Sequence, residues 1–101
     1  MRDIITLLKL LKEEVEDQSL AWDLGKCLCV TISAMGITER DSRPIITADE
    51  RIVLGKYLKR NKPDNAIEGP YWYKPGERQP RIEYLDKQIE YEIDILKDRR
   101  V

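Results

Sequence analysis

Residues 20–35, LAWDLGKCLCVTISAM, separate two folds: helices alone, or helices packed on a sheet. Read as a helix, the stretch has apolar positions at Leu20, Ala21, Leu24, Cys27, Leu28, Val30, Ile32 and Ala34, which leaves few polar ones and marks the central, most buried helix. The β-branched run Val30-Thr31-Ile32 supports a competing reading, a strand over residues 27–33. A strand needs a partner, however, and the chain has no second apolar run of β type. A helix is therefore expected, capped by Ser19 after a short turn and closed by Gly36 in the left-handed conformation. Gly25 within it costs about 1 kcal/mol relative to alanine, which is usually tolerated where another backbone comes close. Trp22 and Lys26 stand four apart on one face. They suit either a half-buried ring beneath a lysine stem or support of a ligand by stacking and charge.

Outward from this stretch the helical pattern repeats. Residues 3–17 carry Ile4, Ile5, Leu7, Leu8, Leu11 and Val15 on one face of a 3.6-residue period, with Lys9, Lys12, Glu13, Glu14, Glu16 and Asp17 opposite. A polar loop follows Gly36 through Arg43-Pro44, with Ile37 and Ile45-Ile46 expected to anchor its two ends in the core. Thr47-Ala48-Asp49-Glu50 is a capping box that starts a third helix, running to about Arg60 and burying Ile52, Val53, Tyr57 and Leu58. Asn61-Lys62-Pro63 forbids its continuation. A fourth helix is expected to take Pro80 at its first position. There Ile82, Leu85, Ile89, Ile93 and Leu96 recur at steps of three, four, four and three, with Tyr84, Tyr91 and Ile95 widening the stripe. So long a stripe predicts self-association through this helix. The reading is all-α: about four helices in one compact bundle, a single domain of 101 residues, with a long structured loop before the last helix.

Composition narrows the chemistry. Histidine is absent, which removes the usual Ser-His-Asp and Cys-His arrangements, the commonest zinc sites and a histidine base. Cys27 and Cys29 are too few for a structural metal site and too close to staple distant segments, so they are expected as reduced, buried thiols. No cofactor or metal is expected. No apolar run approaches the ~20 residues that cross a bilayer, and the start lacks a signal-peptide pattern, which predicts a cytoplasmic protein with no membrane partner. An enzymatic reading would use Glu50, Glu68 or Glu77 as a base, and no paired spacing of carboxylates supports it.

Residues 62–81, KPDNAIEGPYWYKPGERQPR, have no helical or strand period and hold four of the five prolines. The net charge of −1 hides an uneven distribution: residues 51–81 hold eight basic and three acidic side chains, whereas both flanks are net acidic. Lys59 and Arg60 at the exit of the third helix, Arg78 and Arg81 at the start of the fourth, and the aromatic Tyr71 and Trp72 together have the ingredients of a phosphate-bearing ligand's site. Planar rings can stack on a base and guanidinium groups can pair with phosphate oxygens, while a helix N-terminus favours an anion. Trp72 also suits a plug beneath the loop, and the lysines a solvated face. An isoelectric point near 5.5 argues against extended nucleic-acid binding.

Gly25-Lys26-Cys27, Tyr57-Leu58-Lys59 with Asn61-Lys62-Pro63, Tyr71-Trp72 with Pro75-Gly76, and Pro80-Arg81-Ile82 with Leu85 form a series over residues 20–90. That series resembles a loose group of short uncharacterised proteins from gut bacteria and their phages. Lysine stands here where the group has leucine in Gly-Leu-Cys, and the loop after Gly36 is longer. The resemblance implies a phage or mobile-element setting, within a bacterium or an infected host cell, and assigns no activity. Two functions follow as expectations. One is non-enzymatic sequestration of a small anionic, nucleotide-like ligand by Tyr71, Trp72, Arg78, Arg81, Lys59, Arg60, Lys26 and Trp22; the other is binding and inhibition of a host protein.

Overall fold

Residues 28–35 are helical, not extended. A computed structural model describes residues 1–17, 28–37, 39–61 and 78–99. Its elements are α1 (Ile4–Glu16), α2 (Leu28–Met35), β1 (Glu39–Arg40), β2 (Arg43–Pro44), α3 (Ala48–Arg60) and α4 (Arg78–Arg99). Apart from a two-stranded hairpin of two residues each, the architecture is all-α, with helices packed on helices. The expected Ser19 cap, the start of the second helix and Gly25 lie outside the described residues.

The starts of α1 and α3 obey local chemistry. Asp3 caps α1 by accepting from the Thr6 amide at 2.8 Å. Thr47 caps α3 reciprocally: its hydroxyl accepts from the Glu50 amide at 3.1 Å, and Glu50 Oε1 accepts from the Thr47 amide at 2.9 Å. α4 begins two residues earlier than Pro80, so the proline occupies its third position instead of its first. The shift is tolerated because none of the first-turn amides has an intrahelical acceptor, so a missing N–H is harmless at either place.

Orientation follows from the contacts between helix ends. Arg2, just before α1, reaches Glu50 in the first turn of α3, so these two helices start at the same end. Tyr84 in the first half of α4 donates to the Asn61 carbonyl at 2.9 Å, and Tyr57 reaches Gln88 and Glu92, so α4 runs antiparallel to α3. The Tyr57 hydroxyl lies 2.9 Å from both acceptors and, with one proton, donates to one at a time. Burial first, then the bond to Glu92, pushes its pKa above the usual phenol range. The α1–α4 pairing is the most extensive in the bundle, and Lys12 bridges it to Asp86 at 2.6 Å.

The core gathers Leu7, Leu8, Leu11 and Val15 of α1, Leu28, Ile32 and Met35 of α2, Leu54, Tyr57 and Leu58 of α3, and Tyr84, Leu85 and Ile89 of α4. Ile45 and Ile46 join it, and both of their amides donate to the Met35 carbonyl, at 3.0 and 3.3 Å. The other expected anchor, Ile37, is 77% exposed. Between these anchors the segment read as an irregular loop forms the hairpin, with Arg40 opposite Arg43 across Asp41-Ser42. Those two residues have φ of 51° and 66°, the paired positive values of a primed two-residue turn.

The burial expected in α3 is corrected at one position. Ile52 is 50% exposed, whereas Leu54 and Glu50 are buried. At 100° per residue, Glu50, Leu54, Tyr57 and Leu58 share one arc, and Ile52 points almost diametrically away from it. In α4 the stripe also leaves Tyr91 and Leu96 exposed.

Candidate functional site

The expected site lies where α3 ends and α4 begins. Lys59 and Arg60 close α3 and are solvent-exposed. As the last-turn cations of a helix they also suit its negative end. The Asn61 side chain donates to the Tyr57 carbonyl at 2.9 Å, and Tyr84 donates to the Asn61 carbonyl. These bonds fasten the exit of α3 against α4, whose first residue is Arg78. Lys59, Arg60 and the backbone of Arg78 are therefore brought to one end of the bundle.

Arg81 is not part of the solvent-facing set: it is fully buried, at 0% exposure, and is the largest side chain so enclosed among the described residues. The fold is antiparallel at this end, so Arg81 lies near the C-terminal ends of α1 and α3. There a cation is favoured by the carbonyl ends of α1 and α3 and opposed by the start of its own helix. Buried Glu14 in the last turn of α1 belongs to the same end, and both residues are engaged in interactions of their own. Tyr71, Trp72, Trp22 and Lys26, the remaining expected ligand residues, lie outside the described residues, as does Glu68 and Glu77 among the acids weighed as bases.

At the opposite end lies a constellation that the sequence pattern does not announce. Glu50, 2% exposed, accepts from Arg2 Nε at 2.9 Å, Arg2 Nη2 at 2.8 Å and the Arg2 amide at 3.1 Å, besides the Thr47 amide. Arg2 Nη2 also donates to the Ile45 carbonyl at 2.7 Å. The hydrogen bond from the Arg2 side chain, more than any other influence, holds the Glu50 carboxyl well below the usual carboxylate range. With both oxygens occupied and so low a basicity, Glu50 is a poor general base. An open cavity of about 710 Å3 adjoins it, lined among others by Arg2, Asp41, Arg43, Thr47 and Glu50. Arg2 and Arg43 line it together with Asp41 and Glu50, so its side chains carry both signs of charge. A signal for the cluster did exist: a glutamate placed by its capping box beside an apolar arc needs a cation, but nothing local says which one.

Among the described residues no group of acidic or cysteine side chains is arranged to hold a metal ion, and no helix is long and apolar enough to cross a membrane. No protein-family model, no curated protein and no solved structure matches the chain.

Proposed function

We propose that this is a non-enzymatic binding protein of phage type that sequesters a small anionic, nucleotide-like ligand at the α3–α4 end of the bundle. The observation that carries the reading is the exposure of Lys59 and Arg60 beside the start of α4, a junction made firm by the Tyr84–Asn61 bond. Two flexible cations next to the outward amides of a helix start suit a phosphate, and tyrosine and tryptophan from the connecting segment would supply the stacking surface for a base. The burial of Arg81 assigns it to the frame of this end, holding α4 in place, and leaves phosphate pairing to Lys59, Arg60 and Arg78. Counter-defence by capture of a nucleotide signal is the setting that the resemblance to phage proteins suggests.

The test is a thermal-shift panel of mono-, cyclic di- and cyclic trinucleotides. A ligand at about 100 times its Kd stabilises by about 2.7 kcal/mol, a shift on the order of 10 °C in a domain of this size. Lys59→Glu with Arg60→Glu is expected to abolish that shift while leaving the unliganded melting temperature within a few degrees, because both side chains are exposed. A flat response of the unaltered protein to the whole panel would remove the ligand reading. Self-association through α4 belongs to the same proposal, supported by exposed Tyr91 and Leu96. Light scattering at high concentration is expected to give a multiple of the 11.9 kDa chain mass, and a single-chain mass would exclude it. A second reading, a host-protein partner, is favoured by a different observation, the position of Ile52.

A further inference from the structure

α3 is amphipathic in an uncommon sense. Its inner arc holds the core and the buried Glu50, and its outer arc presents Arg51, Lys56, Lys59 and Arg60 around Ile52, all of them exposed. At 1.5 Å per residue the four cations span roughly 14 Å along the helix. After Asp49 and the buried Glu50 in the first turn no carboxylate follows on α3, and none of the four cations is in an ion pair among the described residues. A solvated helix face usually alternates signs, since like charges repel and alternation stabilises the isolated helix. Here a branched aliphatic side chain, half in water, sits at the middle of a cationic field.

Gly55 adds an independent observation. It lies between Arg51 and Lys59 on the edge of the same face, in mid-helix, where glycine is less favourable than alanine. No close approach explains it: a Cβ built there meets nothing within 4 Å. The glycine leaves a shallow saddle beside Ile52, open to a side chain from outside.

From this we infer that the outer face of α3 is a docking surface for a partner protein, and that the partner presents an acidic amphipathic helix with an aliphatic residue at its centre. Glutamates or aspartates on that helix would meet Arg51, Lys56, Lys59 and Arg60, and its aliphatic residue would cover Ile52 and enter the saddle at Gly55. Charge complementarity selects the partner and the apolar centre supplies contact that water cannot replace. A nucleic-acid backbone would satisfy the cations but not Ile52, and the flanking parts of the chain are net acidic, which repels an extended polyanion. A membrane surface is disfavoured because one isoleucine buries too little area to anchor a helix in the interface. The inference shares Lys59 and Arg60 with the nucleotide reading but needs neither the connecting segment nor the start of α4.

Fluorescence anisotropy tests it with four probes: a labelled 16-residue glutamate-rich helical peptide carrying a leucine stripe, the same peptide with serine for leucine, a single-stranded oligothymidylate of equal charge, and phosphatidylserine-containing vesicles. The leucine peptide is expected to bind at least about tenfold more tightly than the serine peptide, and more tightly than the oligonucleotide or the vesicles. Ile52→Asp and, separately, Arg51→Glu with Lys56→Glu are each expected to weaken it by tenfold or more. Neither set alters Lys59 or Arg60, so any nucleotide-induced thermal shift stays intact and the two readings fail separately. Gly55→Ala serves as a folding-safe probe: its melting temperature rises while peptide affinity falls. Equal binding of leucine and serine peptides, stronger binding of oligonucleotide or vesicle, or no binding at all would overturn the proposal.

Discussion

Replacing Arg81 by alanine is expected to destabilise the protein by about 3–5 kcal/mol, the range for removing one member of a buried charged set. That is a large part of the roughly 5–15 kcal/mol available to a domain of this size. Two losses combine. The side chain is fully enclosed, so its aliphatic stem leaves a cavity. Its charge is also enclosed, at 0% exposure, and the interactions it makes inside the bundle are lost with it. Arg81→Met separates the two, because it keeps most of the volume and removes the charge; about half of the loss is expected from it. Urea denaturation followed by circular dichroism measures both. A melting temperature for Arg81→Ala within about 3 °C of the parent would mean that the side chain is not enclosed in solution.

The result also bears on ligand binding. Loss of a nucleotide-induced shift in Arg81→Ala would say nothing about contact with the nucleotide, because the frame of the site goes with the residue. Exposed Lys59 and Arg60 are the positions at which binding and folding come apart.

Much of the frame could be read from local rules, and the failures have a common cause. The capping box at Thr47 involves groups three residues apart, so it was legible, as was the α1 stripe. The choice of helix for residues 28–35 came from the lack of a strand partner, a property of the whole composition that tertiary packing could not reverse. Ile52 misled because counting apolar residues ranks isoleucine above glutamate as a core candidate. The arc that is buried includes Glu50, and Glu50 can be buried only because Arg2, 48 positions away, satisfies it. Arg81 misled in the same way: an arginine read alone is a surface residue, and its enclosure is a product of tertiary packing. The hairpin was missed because Asp41-Ser42 lacks the Asn-Gly or Asp-Gly signature of a primed turn, and because each strand contributes only two residues. Of the expected site, Lys59, Arg60 and Arg78 are brought to one end, Arg81 is moved inside, and the aromatic half lies beyond the described residues.

The cluster at the other end carries the second large effect. Arg2→Ala is expected to cost about 2–3 kcal/mol at pH 7, less than for a wholly buried pair because the Arg2 side chain is 43% exposed and screened by solvent. The variant leaves Glu50 buried with two of its four donors, the backbone amides of residue 2 and Thr47. Its pH dependence is the sharper test. In the parent protein the folded-state pKa of Glu50 is depressed, so between that value and the unfolded value near 4.3 the unfolded chain binds more protons. The contribution of Glu50 is therefore fully present above about pH 5 and is lost as pH falls through the folded value. Without the Arg2 guanidinium the strongest hold on the carboxyl is gone and burial is opposed only by the two backbone amides, so the depression shrinks and the variant's deficit shrinks as pH falls. Chemical denaturation of parent and variant at pH 7, 5 and 3 is expected to give converging stabilities. A deficit that stays constant over this range would show that Arg2 acts through packing and its bond to the Ile45 carbonyl, with no electrostatic hold on Glu50. Glu50→Gln in the Arg2→Ala background supplies the last discrimination, since removing the buried charge is expected to recover stability at pH 7 while the same substitution in the parent loses it.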